Sequence, residues 1–277
     1  MNSKHLPLII SVAPNGAYKT KQDHAAVPLT AKETSNTAAA CLDAGASMIH
    51  LHVRNADGSH SLDADHYRSA IRAVEQAVGD RLSIQVTSEA AGVYSAEQQM
   101  SAIRAIAPRS VSIALREIIP DDKNPGSAAD FLLWLSMQKI LPQYILYDAI
   151  DVNRYKALVA DGIIPTTPHW VLFVIGRYSA GQQSDTAQLK PFLTASKGIS
   201  VPWAVCAFGK TELDCVLAAA EQGGHIRVGF ENNIYLHDGQ VAEGNADLIE
   251  QVANAARDSQ YTLANAADFR QLFSGWG

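Results

Sequence analysis

Eight short apolar runs, rich in β-branched and aromatic residues, recur along the chain at intervals of roughly 25 to 40 residues. This recurrence limits the possible folds more than any other feature. The runs are Leu8–Pro14, Met48–Val53, Ser83–Thr87, Ser110–Leu115, Tyr144–Tyr147, Trp170–Ile175, Trp203–Phe208 and Ile226–Glu231. Alanine-rich stretches with helical periodicity separate them, among them Thr30–Ala44, Ala64–Val78, Ser95–Ala107, Ser127–Ile140, Thr211–Gln222 and Gly244–Arg257. Thr30 with Glu33 makes a capping box, Thr211 precedes Glu212 and Asp214 in a first turn, and Gly45 and Gly223 stand where helices should stop. Alternating strand and helix predict βα units and a parallel sheet. Eight such units in 277 residues predict an α/β fold of the closed (β/α)8 TIM-barrel type rather than an open doubly wound sheet. No composition break interrupts the pattern, so residues 1–277 read as one barrel domain. The last stretch, Leu263–Phe273, is expected to be an extra C-terminal helix packed on the outside.

Several function classes drop out. No GxGxxG follows the first strand and no GxxxxGK[ST] occurs, so dinucleotide and nucleotide-loop binding lose their usual support. The net charge is −6 with no basic stripe, which argues against a nucleic-acid partner while leaving room for a small anionic substrate. Cys41, Cys206 and Cys215 are an odd number without a CxxC pair, which fits a reducing cytoplasm better than a disulfide framework. The apolar run from Leu6 to Ala13 is interrupted by Pro7, is too short to span a membrane and precedes no signal-type cleavage site. No membrane partner is expected.

In a barrel, the reactive residues gather at the C-terminal ends of the strands. In Met48-Ile-His-Leu-His-Val-Arg54, Ile49, Leu51 and Val53 fall on the helix-facing side, and His50, His52 and Arg54 on the other. Two histidines at i, i+2 on one strand suit a shared metal, and they equally suit a hydrogen-bonded polar layer. On the last strand Arg227, Gly229 and Glu231 share one parity, with Glu231 nearest the C-terminal end and only the first strand between it and the histidines. Two histidines and one carboxylate would leave an open coordination position, as a catalytic site requires. On spacing alone, Arg227 reads as the partner of a buried carboxylate such as Glu231.

Further polar residues fall at strand ends: Thr87, Ser88 and Glu89; Ser112, Arg116 and Glu117; Tyr147 and Asp148; Gly209 and Lys210. Each alone reads as a cap or a solvated loop residue. Together around one rim they suggest an anion-binding pocket, to which Tyr18, after the Pro14-Asn-Gly-Ala17 turn, would add a wall.

These residues give the chain a resemblance to the β-keto acid cleavage enzyme family over nearly its whole length. The match is carried by Pro14-Asn-Gly-Ala17, Asp43-Ala-Gly-Ala46 followed by His50-Leu-His-Val-Arg54, Asp57-Gly58, Trp203-Ala-Val205, Gly223-Gly-His-Ile-Arg-Val-Gly-Phe-Glu-Asn-Asn233 and Ala242-Glu-Gly-Asn-Ala246. The resemblance implies a zinc-dependent homotetrameric barrel whose His50, His52 and Glu231 hold the metal. It implies condensation of a β-keto acid with acetyl-CoA to release acetoacetate and a new acyl-CoA. Another divalent ion remains open, since the same ligand set suits iron and manganese.

Departures from the family pattern fall on the catalytic positions. Asn232 stands where the family has an aspartate paired with the strand arginine, here Arg227, and a carboxamide cannot act as a base. Thr87 replaces the family's catalytic serine in Thr87-Ser-Glu-Ala90, and Glu89 brings in a carboxylate that could serve as the base. Ser88, Ser112 and Lys210 are the remaining candidates for substrate contacts. Gly176-Arg-Tyr-Ser-Ala-Gly181 replaces a glycine-rich stretch. Tyr18 occupies the position where members with an amino substrate carry a glutamate, so 3-keto-5-aminohexanoate is not the expected substrate. Two other readings remain: a CoA-independent metal-dependent keto-acid lyase or aldolase, and a catalytically weak barrel that binds metal and carboxylates.

Overall fold

The computed structural model describes residues 6–121, 125–273 and 276. Eight parallel strands close into a barrel: β1 (Ile10–Val12), β2 (Met48–Leu51), β3 (Ser83–Thr87), β4 (Ser110–Ala114), β5 (Leu141–Leu146), β6 (Trp170–Ile175), β7 (Trp203–Ala207) and β8 (His225–Val228). Each strand pairs with its sequence neighbour, and β8 pairs with β1 to close the ring. Helices cover the outside, among them Ala31–Ala44, Ala64–Val78, Ala96–Ile106, Gly126–Met137, Ala149–Ala160, Leu189–Ala195, Glu212–Glu221 and Asn245–Asp258. No helix among the described residues is long and apolar enough to cross a membrane, and all three cysteines are free and buried.

The alternation of the strands produces two separate apolar layers. Ile10, Val12, Ile49, Leu51, Val86, Val111 and Val205 pack outward against the helices. Ile9, Met48, Leu141, Trp170, Leu172, Ala204 and Cys206 fill the barrel interior. The capping box at Thr30 forms as expected: its side chain accepts from Glu33 N–H while the Glu33 carboxylate accepts from Thr30 N–H. Gly45 ends that helix in the left-handed region, at φ 119°.

Several boundaries differ from the sequence reading. β5 begins at Leu141, so Pro142 lies inside it, although a proline ordinarily marks the end of a central strand. β2 stops at Leu51, and Val53–Arg54 turns away to form a small antiparallel hairpin with His60–Ser61. β8 stops at Val228, because Gly229 adopts φ 141° and starts a turn. The C-terminal helix, Ala266–Leu272, does not lie on the outer wall. Its Phe269 is fully buried with its ring 5.6 Å from Trp170, and with Phe273 it seals the end of the barrel opposite the site described below.

Candidate active site

The interior layer turns polar toward the C-terminal ends of the strands. His50 of β2 lies in register with Gln85 of β3, and Thr87 of β3 with Ser112 of β4. Gln85 donates through Nε2 to Gln143 Oε1 at 3.1 Å, which leaves its own Oε1 to accept from His50 Nδ1 at 2.8 Å. That bond places the proton of His50 on Nδ1 and turns a lone pair on Nε2 toward the cavity. The Nε2 atoms of His50 and His52 lie 3.0 Å apart. Burial pushes the His50 imidazole down to about 4 and holds His52 well below its ordinary value, so both are neutral at physiological pH.

Glu231 reaches the histidines by way of a turn, not through strand parity as the sequence suggested. Gly229 allows that turn. A β-carbon there would meet Ala13 O at 2.3 Å, and Asn232 and Asn233 N–H both donate back to Gly229 O. Glu231 N–H donates to Ala13 O, and Asn245 ties Phe230 N–H to Pro14 O from the next helix. The carboxylate then divides its oxygens. Oε1 accepts from Arg227 Nη2 at 3.0 Å, while Oε2 has no hydrogen-bond partner and lies 3.7 Å from His50 Nε2 and 3.5 Å from His52 Nε2. Burial pushes this carboxyl up, but the charge of Arg227, with smaller contributions from His50 and Arg177, outweighs it and keeps Glu231 ionised.

These three side chains fit a metal. Their donor atoms stand 3.0, 3.5 and 3.7 Å apart, close to the edge of about 3.3 Å expected for donors 2.0–2.1 Å from a tetrahedral ion. The unpartnered Glu231 Oε2, buried between two neutral imidazoles, is the strongest sign that a cation belongs there. Arg227 joins the group as the partner of Glu231 and also donates to Cys206 Sγ at 3.3 Å.

A cavity of about 350 Å³ opens above this floor. Tyr18, Thr87, Glu89, Ser112 and Arg227 line it, as do His50 and Glu231. The Ser112 hydroxyl lies 3.4 Å from that of Thr87, which accepts from Glu89 N–H at 3.0 Å. The Glu89 carboxylate approaches within 3.9 Å of His52 Nε2; burial foremost, and then repulsion from Glu231, push it up to about 7. Other candidates are not brought to the cavity. Ser88 is fully buried and donates to Ser112 O at 2.9 Å. Asn232 is buried with neither side-chain polar atom partnered. Lys210 is exposed, with its Nζ 4.4 Å from the centre of the Tyr235 ring. Arg54 shares the inward parity of the histidines but holds the loop after β1, donating to the carbonyls of Asn15, Ala17 and Lys19. Sequence reasoning missed Gln85, an interior polar residue that acts on the site through His50, and Arg177, which follows Gly176 after β6 and lines the cavity together with Lys19, Asp23 and Gln182.

The profile of the beta-keto acid cleavage enzyme matches residues 7–274. The chain belongs to this family. The 3-keto-5-aminohexanoate cleavage enzyme of Fusobacterium nucleatum is 29% identical over 272 residues, covering 96% of this chain and 97% of that protein. The 3-oxoadipate:acetyl-CoA acetyltransferase of Cupriavidus necator is 27% identical over 272 residues, with 96% and 94% covered. Among solved structures, apo ObcA superposes with a TM-score of 0.71 at 15% identity. The match covers 90% of this chain and 65% of ObcA, and it speaks for the barrel alone. Membership in the β-keto acid cleavage family gives the clustered histidines, Glu231 and Arg227 a chemical context that spacing alone did not.

Proposed function

We propose that this protein transfers an acyl group from a β-keto acid to CoA, consuming acetyl-CoA and releasing acetoacetate. His50, His52 and Glu231 would hold the divalent ion, and zinc is the ion that two imidazoles and one carboxylate suit well. The observation that supports this most directly is the convergence of two neutral imidazoles and an unpartnered carboxylate oxygen on the floor of the cavity. When bound, the ion would supply Lewis-acid polarisation of the β-keto carbonyl.

The chain's own side chains account for the remaining tasks. The Thr87 and Ser112 hydroxyls lie where they can hold the carboxylate of the β-keto acid. Arg227 fixes Glu231 through Oε1 and keeps it ionised. Glu89 Oε2 removes a proton from the carbon between the two carbonyl groups, a role suited to a carboxyl pushed up to about 7. That carbon attacks the acetyl carbonyl of acetyl-CoA, and CoA leaves as the thiolate. The thiolate adds to the original β-keto carbonyl, and the bond between that carbonyl carbon and the neighbouring CH breaks. The electron pair stays with the departing acetoacetate, which takes the proton back from Glu89. Atoms balance, with one acetyl group gained and one acyl group released as its CoA thioester.

Tyr18 argues against an ammonium-bearing substrate, because a phenol cannot pair with one as a carboxylate does. By family resemblance we also propose a homotetramer, and from the three free cysteines a cytoplasmic location. The test is a coupled assay for acyl-CoA and acetoacetate on a β-keto acid panel, using protein loaded with zinc and analysed for metal. Both products, formed only when acetyl-CoA is present, are expected. Product formed equally well without CoA would replace this reading with a lyase.

A further inference from the structure

We infer that Arg177 selects the substrate, and that the β-keto acid this site takes carries a second carboxylate at the end remote from the keto group. The inference rests on the reaction proposed above and adds the substrate class.

Three other arginines around the barrel mouth are already engaged. Arg227 is held by Glu231 and Cys206, Arg54 by backbone carbonyls, and Arg116 by Asp148 and Asp151. Arg177 differs. Its guanidinium faces the Tyr18 ring at 5.2 Å and the Phe208 ring at 5.3 Å, and it lines the cavity. Among the described residues no carboxylate lies within 4.0 Å of it, and no acceptor lies within hydrogen-bond reach of its N–H groups. The charges of Glu89 and Glu117 are felt by Arg177 only from beyond ion-pair distance. Contacts to two aromatic faces steady the guanidinium and leave its N–H edge available, the arrangement that binds a carboxylate in two parallel bonds.

The segment that carries Arg177 is pinned. A β-carbon on Gly176 would meet Ser184 Oγ at 2.4 Å. Ser184 in turn donates to Ile175 O at 3.1 Å and Phe208 O at 2.8 Å. Tyr18 is fixed from the other side, because Arg54 donates to the carbonyls flanking it.

Topology says which carboxylate Arg177 meets. In the ring order β1-β8-β7-β6-β5-β4-β3-β2, the strand before Arg177 stands directly across from the strand that carries His50. Between them the cavity is walled by Ile145, Val174 and Phe208. A molecule with its keto group at the histidine side therefore runs a short carbon chain past an apolar wall and ends at a free guanidinium. Its own β-keto carboxylate has the Thr87 and Ser112 hydroxyls on the near side.

The experiment separates binding from turnover. Calorimetry on the metal-loaded protein compares adipate with hexanoate, which differ by the distal carboxylate alone. Adipate should bind roughly 10- to 100-fold more tightly, and Arg177→Gln should erase that preference while changing hexanoate little. In the assay, 3-oxoadipate should exceed 3-oxohexanoate in kcat/KM by a similar factor, again only with Arg177 present. Equal binding of the two acids by the unmodified protein overturns the inference, as does a loss in Arg177→Gln that falls on both acids alike. A rise confined to the KM for acetyl-CoA would instead assign Arg177 to the CoA phosphates and overturn it too. If adipate preference holds but no β-keto acid turns over, the subsite stands and the proposed reaction falls.

Discussion

Gly16 makes room for Glu231: a β-carbon on Gly16 would sit 2.5 Å from Glu231 Cγ. The backbone there has φ +58°, a conformation that costs an L-residue about 1–2 kcal/mol. Gly16→Ala should therefore leave the barrel folded, with a modest loss of stability, while displacing the Glu231 carboxylate. Metal affinity, measured by competition with a chromogenic chelator, should fall at least about tenfold. Unchanged affinity and unchanged turnover would show that the carboxylate has freedom this packing denies it.

Gln85 should matter for metal binding although it touches no ion. Its Oε1 fixes the proton of His50 on Nδ1 only because its Nε2 is taken by Gln143. Gln85→Leu removes that constraint and leaves a buried N–H unpaired, which should weaken metal binding by about 10- to 100-fold. Gln85→Glu keeps an acceptor and should recover much of the loss. If both variants bind metal like the parent protein, the tautomer is set some other way.

Much of the barrel was legible in the sequence, because eight strand-helix repeats leave few other folds and because outward apolar residues alternate with inward ones at His50 and His52. The approach of Glu231 was legible only in outcome. Strand parity pointed to the residue that approaches the histidines, but the strand ends at Val228, and the side chain arrives through a turn that needs Gly229 and the Asn245 bracket. Arg177 was opaque for a different reason. What marks it is the pair of aromatic faces beside it, supplied by loops after β1 and β7 that are distant in sequence. Lys210 shows the converse: a cation one residue after the β7 glycine reads as a rim residue, yet the structure sends it to Tyr235.

The proposed exchange of a base between positions can be tested with two variants. Glu89→Gln keeps shape and removes the basic oxygen, so kcat should fall by about 100-fold or more while metal content is retained. Asn232→Ala should have a far smaller effect on kcat, since neither polar atom of that side chain finds a partner in its buried position. Removing an unsatisfied buried amide should also leave the denaturation midpoint near or above that of the parent. Equal losses in the two variants would return the catalytic role to the family's position.

His225 should make the fold sensitive to acid at the start of β8, the end of that strand away from the candidate site. It begins β8, is buried, and accepts from Ile9 N–H through Nδ1 at 3.2 Å. Burial pushes its imidazole down to about 4, whereas an unfolded chain protonates it near 6.5. Between those values the unfolded state binds more protons than the folded one, so stability rises with pH. The contribution is fully present above about 6.5 and is lost as pH falls through 4, with a ceiling of about 3 kcal/mol. Other buried histidines move in the same direction, so the parent protein alone cannot isolate this one. His225→Asn keeps an acceptor for Ile9 N–H and cannot titrate. Denaturant unfolding at pH 7 and pH 4.5 should show a smaller drop in stability for the variant than for the parent. Parallel drops would mean that His225 takes up its proton without losing its place in the barrel.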